Sequence, residues 1–369
     1  MKFFTQSAYF ITLGALAVVL LWGVSLWNGT VLELIRVTWY GKLHDGTPFK
    51  TSYTGIVLFD FPLSLLVAFF LYGTNGSDPG YQLFLIDAYS TLQSAFVWLY
   101  VEASRGGKKP TAVEYPIFWG AAWQAFGAAI SLPFYYFNHL KWVHAQPRGL
   151  STVDLPSARA IPISFLLGAF LPMAIGMLPT WVDRSHCLHQ NILAAWQLDP
   201  VWVSTIQVAG VSLFKITAAS SRNVEDDTLR HVRISYVLAG LSSTAGHLYA
   251  IGRMFSDTNP LLSFSRVYVP RLFAGPEGST EKLMNGPWLF LQYDLIIIAL
   301  SSLSWAYVLI FSLMEEGFGR KALPLVFLLG GLLLGPGGTV SAALFWREGE
   351  LHRRRALEKP GKIGGRKAT

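Results

Sequence analysis

Apolar runs of about 20 residues, long enough to cross a hydrocarbon layer as helices, recur from one end of this chain to the other. Nine segments qualify by length and polarity: 9–27, 53–72, 81–102, 112–137, 161–182, 191–214, 234–255, 288–314 and 322–346. No water reaches the backbone in oil, so each segment must satisfy its own N–H and C=O groups as a helix. The expected fold class is all-α: a polytopic transmembrane helix bundle of about seven to nine spans, one domain over residues 1–346. Composition closes off the alternatives. Only 14% of residues are charged and 52% are hydrophobic, against about 25% charged in a soluble domain. That apolar content also excludes disorder. The single cysteine, Cys187, excludes a disulfide scaffold.

The net charge of +7 points to lipid rather than to nucleic acid. Basic residues crowd 347–369, including His352-Arg353-Arg354-Arg355 and Arg366-Lys367. This stretch reads as a disordered cytosolic tail facing anionic headgroups. Alternating sides across nine spans places about two thirds of the Lys and Arg on the side of the tail and the N-terminus in the lumen. Lys2 before the first run mimics a signal peptide, but Leu26-Trp27-Asn28 offers no small-residue cleavage site, so the run reads as a retained helix. Asn75-Gly76-Ser77 fits the glycosylation pattern on the lumenal side, making Asn75 a candidate; Asn28-Gly29-Thr30 fits it on the cytosolic side, and chance explains either match. The polar stretch 256–285 contains Val267 to Phe273, which could lie along the membrane surface.

A charged Asp at the bilayer centre costs about 2.5–3.5 kcal/mol on insertion scales, so acids inside these segments need a reason. Asp60 lies mid-segment in Phe59-Asp60-Phe61-Pro62. Asp87 stands early in the third segment and Glu102 ends it. Glu114 opens the fourth, Asp199 precedes Pro200, and Asp294 follows Gln292-Tyr293 in the eighth. Steps of three or four put Asp87, Thr91, Ser94, Trp98 and Glu102 on one helix face. Tyr236, Gly240, Ser243 and His247 share another, and Asp294, Ser301, Ser304 and Trp305 a third. For the serines and threonines, bonding one helix to the next is a sufficient explanation. Asp60 and Asp294 differ: each sits well inside its segment with no basic residue on its own helix to pair with. Pro62 would loosen the backbone beside Asp60. A carboxyl in apolar surroundings favours its neutral form. It can then donate a proton to something weakly basic, or serve as a relay site in a transporter; spacing leaves both open.

Aromatic rings lie close to these acids along the segments: Phe59, Phe61, Trp98, Trp119, Trp123, Tyr293 and Trp305. With His247 they could wall a pocket whose ring faces stabilise a cation, although core packing accounts for any one of them equally well. Other signals carry less. Asp183, His186, Cys187 and His189 form a short metal-like cluster without a second ligand pair, and read as a solvated loop rather than a metal site. Glu225-Asp226-Asp227 lacks the second acidic cluster that magnesium–diphosphate chemistry requires. Gly335-Pro336-Gly337-Gly338 lacks the Lys of a phosphate loop and reads as a helix break.

At this point the chain resembles the integral-membrane terpene cyclases of fungal secondary-metabolite gene clusters. The residues that carry the likeness are Phe59-Asp60-Phe61-Pro62, Gln292-Tyr293-Asp294, and Leu334 to Gly338 continuing to Phe345-Trp346-Arg347-Glu348. The hydropathy pattern extends it over most of the chain, and the length favours the larger cyclases of meroterpenoid pathways over the smaller seven-span group. The resemblance implies an acid-initiated cyclisation of a lipophilic prenylated substrate taken from the bilayer, with membrane lipids as its surroundings and no metal or organic cofactor. It implies Asp60 and Asp294 as the acid pair, with Asp87, Glu102 and Glu114 behind them. Arg366-Lys367 near the C-terminus resembles a retrieval signal for the endoplasmic reticulum. The competing readings are a proton-coupled transporter or exporter of a hydrophobic metabolite, which would favour internal symmetry between halves, a lipid-binding scaffold, and a sterol-isomerase-like enzyme.

Overall fold

The computed structural model describes residues 3–146, 150–177, 182–216 and 223–358, and among them helices dominate and no strand occurs. Pro179 and the chain beyond residue 358, with Arg366-Lys367, lie outside the described residues. In chain order the helices are α1 (Gln6–Trp27), α2 (Thr30–Tyr40), α3 (Val57–Thr74), α4 (Pro79–Ala103), α5 (Thr111–Glu114), α6 (Pro116–Phe126), α7 (Ala128–His144), α8 (Leu155–Met177), α9 (His186–Trp196), α10 (Asp199–Ile216), α11 (Val224–Ser256), α12 (Phe264–Tyr268), α13 (Thr280–Phe311), α14 (Phe318–Leu333) and α15 (Gly335–Glu358).

Four of these, α1, α3, α8 and α13, are long and apolar enough to cross a membrane. The expected third span, α4, is a different kind of helix. Nearly every residue from Gly80 to Glu102 is buried, on all faces. Protein rather than lipid surrounds it, so Gln82, Asp87, Ser90, Thr91, Gln93 and Ser94 are tolerated there and bond to neighbouring helices. It packs mainly on α11, which in turn packs on α15 and α8.

The expected fourth and ninth spans are each divided into two helices at a glycine. Each is a helical hairpin that enters the bundle, turns, and returns to the face it came from. In the first, α6 runs inward to Gly127 and α7 runs back, so that Trp142 Nε1 donates to the Lys108 carbonyl at 3.3 Å. In the second, α14 runs inward alongside α13, with Arg320 over the Phe311 ring and Phe327 edge-to-face with Tyr307. After Gly335, α15 returns along α11, and Arg354 reaches the Leu313 carbonyl. Both turns use glycine at positive φ, +101° at Gly127 and +75° at Gly335, where a side chain would be strained. The helix break expected at Gly335 is therefore present, but it reverses the chain rather than kinking a span.

The bundle thus has two ends. One gathers Gly29, Asp78, Arg266 and Lys282 around the start of α13. The other gathers Arg105, Trp142, Leu313 and Arg354. Tyr9, near the start of α1, bonds Ser304 at 2.9 Å, and Phe10 lies against Tyr136, so α1 begins at the second end. The start of α1 and the end of α15 therefore lie at the same end of the bundle. Two hairpins add no net crossing, and the segment between α1 and α4 leaves and rejoins the first end. The stretch 347–358, expected as part of a disordered tail, is helical. Residues 347–358 continue α15, with Arg347 and Glu348 buried in ion pairs.

Candidate active site

The tip of the α6–α7 hairpin leaves two sets of unpaired backbone groups, one on the exposed side at Phe126 and one on the buried side at Ala129. Helix ends must find partners elsewhere. The Phe126 carbonyl accepts from Trp22 Nε1 at 2.9 Å. The Ala129 N–H donates to Asp294 Oδ1 at 2.7 Å. Asp294 thus serves from α13 as the N-terminal cap of α7, in the position where a helix start favours a carboxyl. Gly127 is required here twice over: a Cβ would lie 2.6 Å from Leu21 Cδ2 and 3.1 Å from Asp294 Oδ1.

A cavity of about 440 Å³ opens beside this tip, walled by α1, α2, α3, α4, α6 and α13, within the ~300–1,000 Å³ of small-molecule sites. Its wall is largely aromatic. Trp22, Phe290, Phe69, Phe70 and Tyr89 form an unbroken chain of edge-to-face contacts, with ring centroids 5.0–6.0 Å apart. Trp123 closes the side toward α6. Ile35 and Pro62, both on the wall, are exposed, so the cavity opens between α2 and α3 onto an outer surface bearing Trp39, Val57, Leu58 and Phe59. Asp294 is the one carboxyl among the residues that line it.

Asp60 stands elsewhere. It sits in the first turn of α3 rather than mid-span, and both oxygens are occupied by its own preceding loop. The N–H groups of Tyr53, Thr54 and Gly55 and the hydroxyls of Ser52 and Thr54 all donate to it, at 2.7–3.1 Å. Every partner is a donor, which is the environment of a capping carboxylate. Asp60 and Asp294 are therefore not brought together as a pair.

The second-tier acids fall into other structures. Glu102 is the hub of a buried ion cluster at the end of α4. It accepts from Arg347 at 2.7 Å and Arg105 at 2.8 Å, and His139 Nε2 lies 2.8 Å away. Trp305 Nε1 donates to His139 Nδ1 at 3.0 Å, so the imidazole carries its proton on Nε2 and donates to Glu102. Glu348 completes the cluster on Arg105. Asp87 faces His247 Nδ1 at 3.0 Å and accepts from Tyr268 at 2.5 Å. His247 Nε2 in turn meets the Leu332 carbonyl at 3.1 Å, and Thr244 donates to that of Leu334 at 2.9 Å. This cluster caps the inner end of α14, as Asp294 caps that of α7. Glu114 is exposed at the end of α5.

Of the expected aromatic wall, only Trp123 lines the cavity. Trp98 is fully buried and donates to Ser341 at 2.9 Å; Trp305 stacks on Tyr136; Trp119 donates to the Ala112 carbonyl at 2.6 Å. Tyr293 packs toward α1, Phe59 is exposed, and Phe61 is half-buried away from the cavity. Asn75 ends α3, where its side chain accepts from the Ser77 N–H at 3.0 Å. Sequence reasoning named Asp199 without assigning it a role, and missed Gln124. Gln124 lines the cavity and donates to Asp199 Oδ1 at 2.8 Å, while Gln93 donates to Oδ2 at 3.2 Å. No local signal could have joined them, because the contacts span 75 and 106 residues.

The CtvD domain family matches residues 5–351. Among curated proteins, the chain is similar to terpene cyclase DEP1 of Alternaria brassicicola, 29% identical over 94% of this chain and 99% of that protein. It is 28% identical to terpene cyclase DEP1 of Fusarium langsethiae, over 95% of this chain and 100% of the relative. With terpene cyclase alnG of Emericella nidulans it shares 27% identity over 91% of this chain and 92% of the relative. No solved structure matches the chain.

Proposed function

This chain belongs to the CtvD domain family, and from that premise we propose that it works as a membrane-bound terpene cyclase in which Asp294 starts the reaction. One observation carries the assignment of the acid: Asp294 is the carboxyl on the wall of an aromatic cavity that opens to the apolar outer surface. A prenylated precursor dissolved in the bilayer enters between α2 and α3. Asp294 passes a proton to an epoxide oxygen or a terminal double bond. In the epoxide case the C–O bond breaks and the oxygen becomes a hydroxyl. Neighbouring double bonds attack the cation in turn, and a final C–H bond gives its proton back, so the overall change is an isomerisation. The chain of rings from Trp22 to Tyr89 faces the passing cation, and the apolar wall keeps water from quenching it. The relatives' names leave the transporter reading without support.

The end of the bundle bearing Arg105, Lys108, Lys109, Lys141, Arg320 and Arg354 faces the cytosol in this reading, together with both described termini. Asn75, close to Asp78 at the opposite end, is then lumenal. The basic C-terminus suits retention in the endoplasmic reticulum.

The test is turnover of a farnesylated phenol and its terminal epoxide by microsomes carrying the protein. Asp294→Asn should cut turnover by about 10²–10⁴-fold while the protein still inserts, the usual contribution of a general acid. Asp60→Asn should lower thermal stability and leave turnover per folded molecule largely intact. Full activity in Asp294→Asn would end the proposed mechanism.

A further inference from the structure

Gln124 is a polar side chain on the cavity wall whose amide orientation its partners determine. Its Nε2 donates to Asp199 Oδ1 at 2.8 Å and to the Gln197 carbonyl at 3.2 Å. A backbone carbonyl can only accept, so it is the NH₂ of Gln124 that is turned toward Gln197 and Asp199, with the shorter bond going to Asp199. Both of its donors are then used. Among the described residues nothing donates to Oε1, and Gln124 is half-buried on the cavity wall. Asp199 is itself buried, 3% exposed, and its second oxygen is taken by Gln93. Gln197 lies at the break between α9 and α10, so the rigid frame holding Gln124 comes from a different part of the chain.

We infer that Gln124 Oε1 is the anchor for a hydroxyl group on the substrate, and that Asp199 is a positioning residue that keeps Gln124 turned that way. The inference rests on the reading of this cavity as the cyclase site and names what that site selects: an amphiphile with a hydrogen-bond-donating head, such as a phenol, at Gln124. Its isoprenoid tail lies along the aromatic wall, with the reactive end at Asp294. Gln124 lies three residues before Gly127, and Asp294 reaches Ala129 from α13, so both contact points adjoin the same hairpin tip. An Asn at position 199 presents one oxygen and one NH₂. It satisfies only one of the two glutamines as they stand, and a reversed Gln124 would show the cavity a donor instead of an acceptor.

Binding can be measured without turnover in the Asp294→Asn background, from quenching of tryptophan fluorescence, since Trp22 and Trp123 line the cavity. The probes are a farnesylated phenol and its O-methyl ether, which has lost the donor. With Gln124 present the phenol should bind about tenfold more tightly, the range of one hydrogen bond in a site built for it. Gln124→Leu should remove that preference and leave ether binding within about twofold. Asp199→Asn should also remove it, and the double variant should lose nothing more, as expected for residues acting in series. Equal binding of the two probes with Gln124 intact would overturn the inference, as would an unchanged preference in Gln124→Leu. A preference retained in Asp199→Asn would remove the positioning role. Turnover surviving Asp294→Asn would instead strike the cyclase mechanism, and the binding ratio would still decide on Gln124.

Discussion

Replacing Gly127 by alanine perturbs the point where backbone, acid and cavity meet. At φ +101° and ψ 143° the residue occupies a region that is essentially glycine-only, which costs a side-chain-bearing residue about 1–3 kcal/mol. The added methyl would lie 2.6 Å from Leu21 Cδ2, an overpacking of the kind that costs about 1–3 kcal/mol. The two together predict a loss of about 2–6 kcal/mol. Gly46→Ala supplies the control: φ is +83° but nothing lies within 4 Å of the new methyl, so only the backbone cost of about 1–2 kcal/mol applies. Because the same methyl would sit 3.1 Å from Asp294 Oδ1, any accommodation moves the acid or the Ala129 N–H it caps. Gly127→Ala should therefore lose both stability, read as the detergent unfolding transition followed by fluorescence, and cyclisation, read as product per folded protein. Leu21→Val in the same chain removes the clashing methyl and should restore part of each. Equal losses in Gly127→Ala and Gly46→Ala, or no recovery with Leu21→Val, would refute the idea that packing at the hairpin tip sets the acid.

Glu102→Gln should be far more damaging than Glu114→Gln. Removing the hub leaves Arg105 and Arg347 buried without their shared partner, a loss of about 3–5 kcal/mol, whereas Glu114 is exposed; equal yields of folded protein from the two variants would contradict this. The pH dependence of stability should carry a contribution from His189. Its Nε2 lies 3.0 Å from Thr74 Oγ1, whose own proton goes to the Phe70 carbonyl, and its buried Nδ1 has no partner among the described residues. Burial, together with Arg184 and His186, pushes the imidazole down to about 4. The unfolded chain then binds the proton first, so stability is complete above about pH 6.5 and falls as pH drops toward 4. A thermal-midpoint profile over that window should flatten in His189→Gln, and an unchanged slope would exclude His189 as its source.

The acids illustrate how far a single sequence reaches. That Asp60, Asp87, Glu102 and Asp294 needed partners was legible, because each interrupts an apolar run. Which partner each one finds was not. Asp60 is satisfied within eight residues of itself, yet a loop that folds back onto a helix start has no periodicity to betray it. Glu102 meets Arg347 across 245 residues, and Asp294 meets Ala129 across 165. A run of apolar residues records only that its surroundings are dry, so α4, sheathed in protein, and the two hairpins read like spans.

The chain's residues by themselves determined that it forms helices in an apolar medium, since a backbone without water must bond to itself, and that a helix breaks at Gly335, since glycine and proline do not continue a helix there. Tertiary structure alone decided which runs cross and which double back, for reversing direction changes no local preference and is settled by what the helix ends can bond to. It also decided that Asp294, rather than Asp60, reaches the cavity. A carboxyl's role depends on the donors around it, and those donors come from distant parts of the chain.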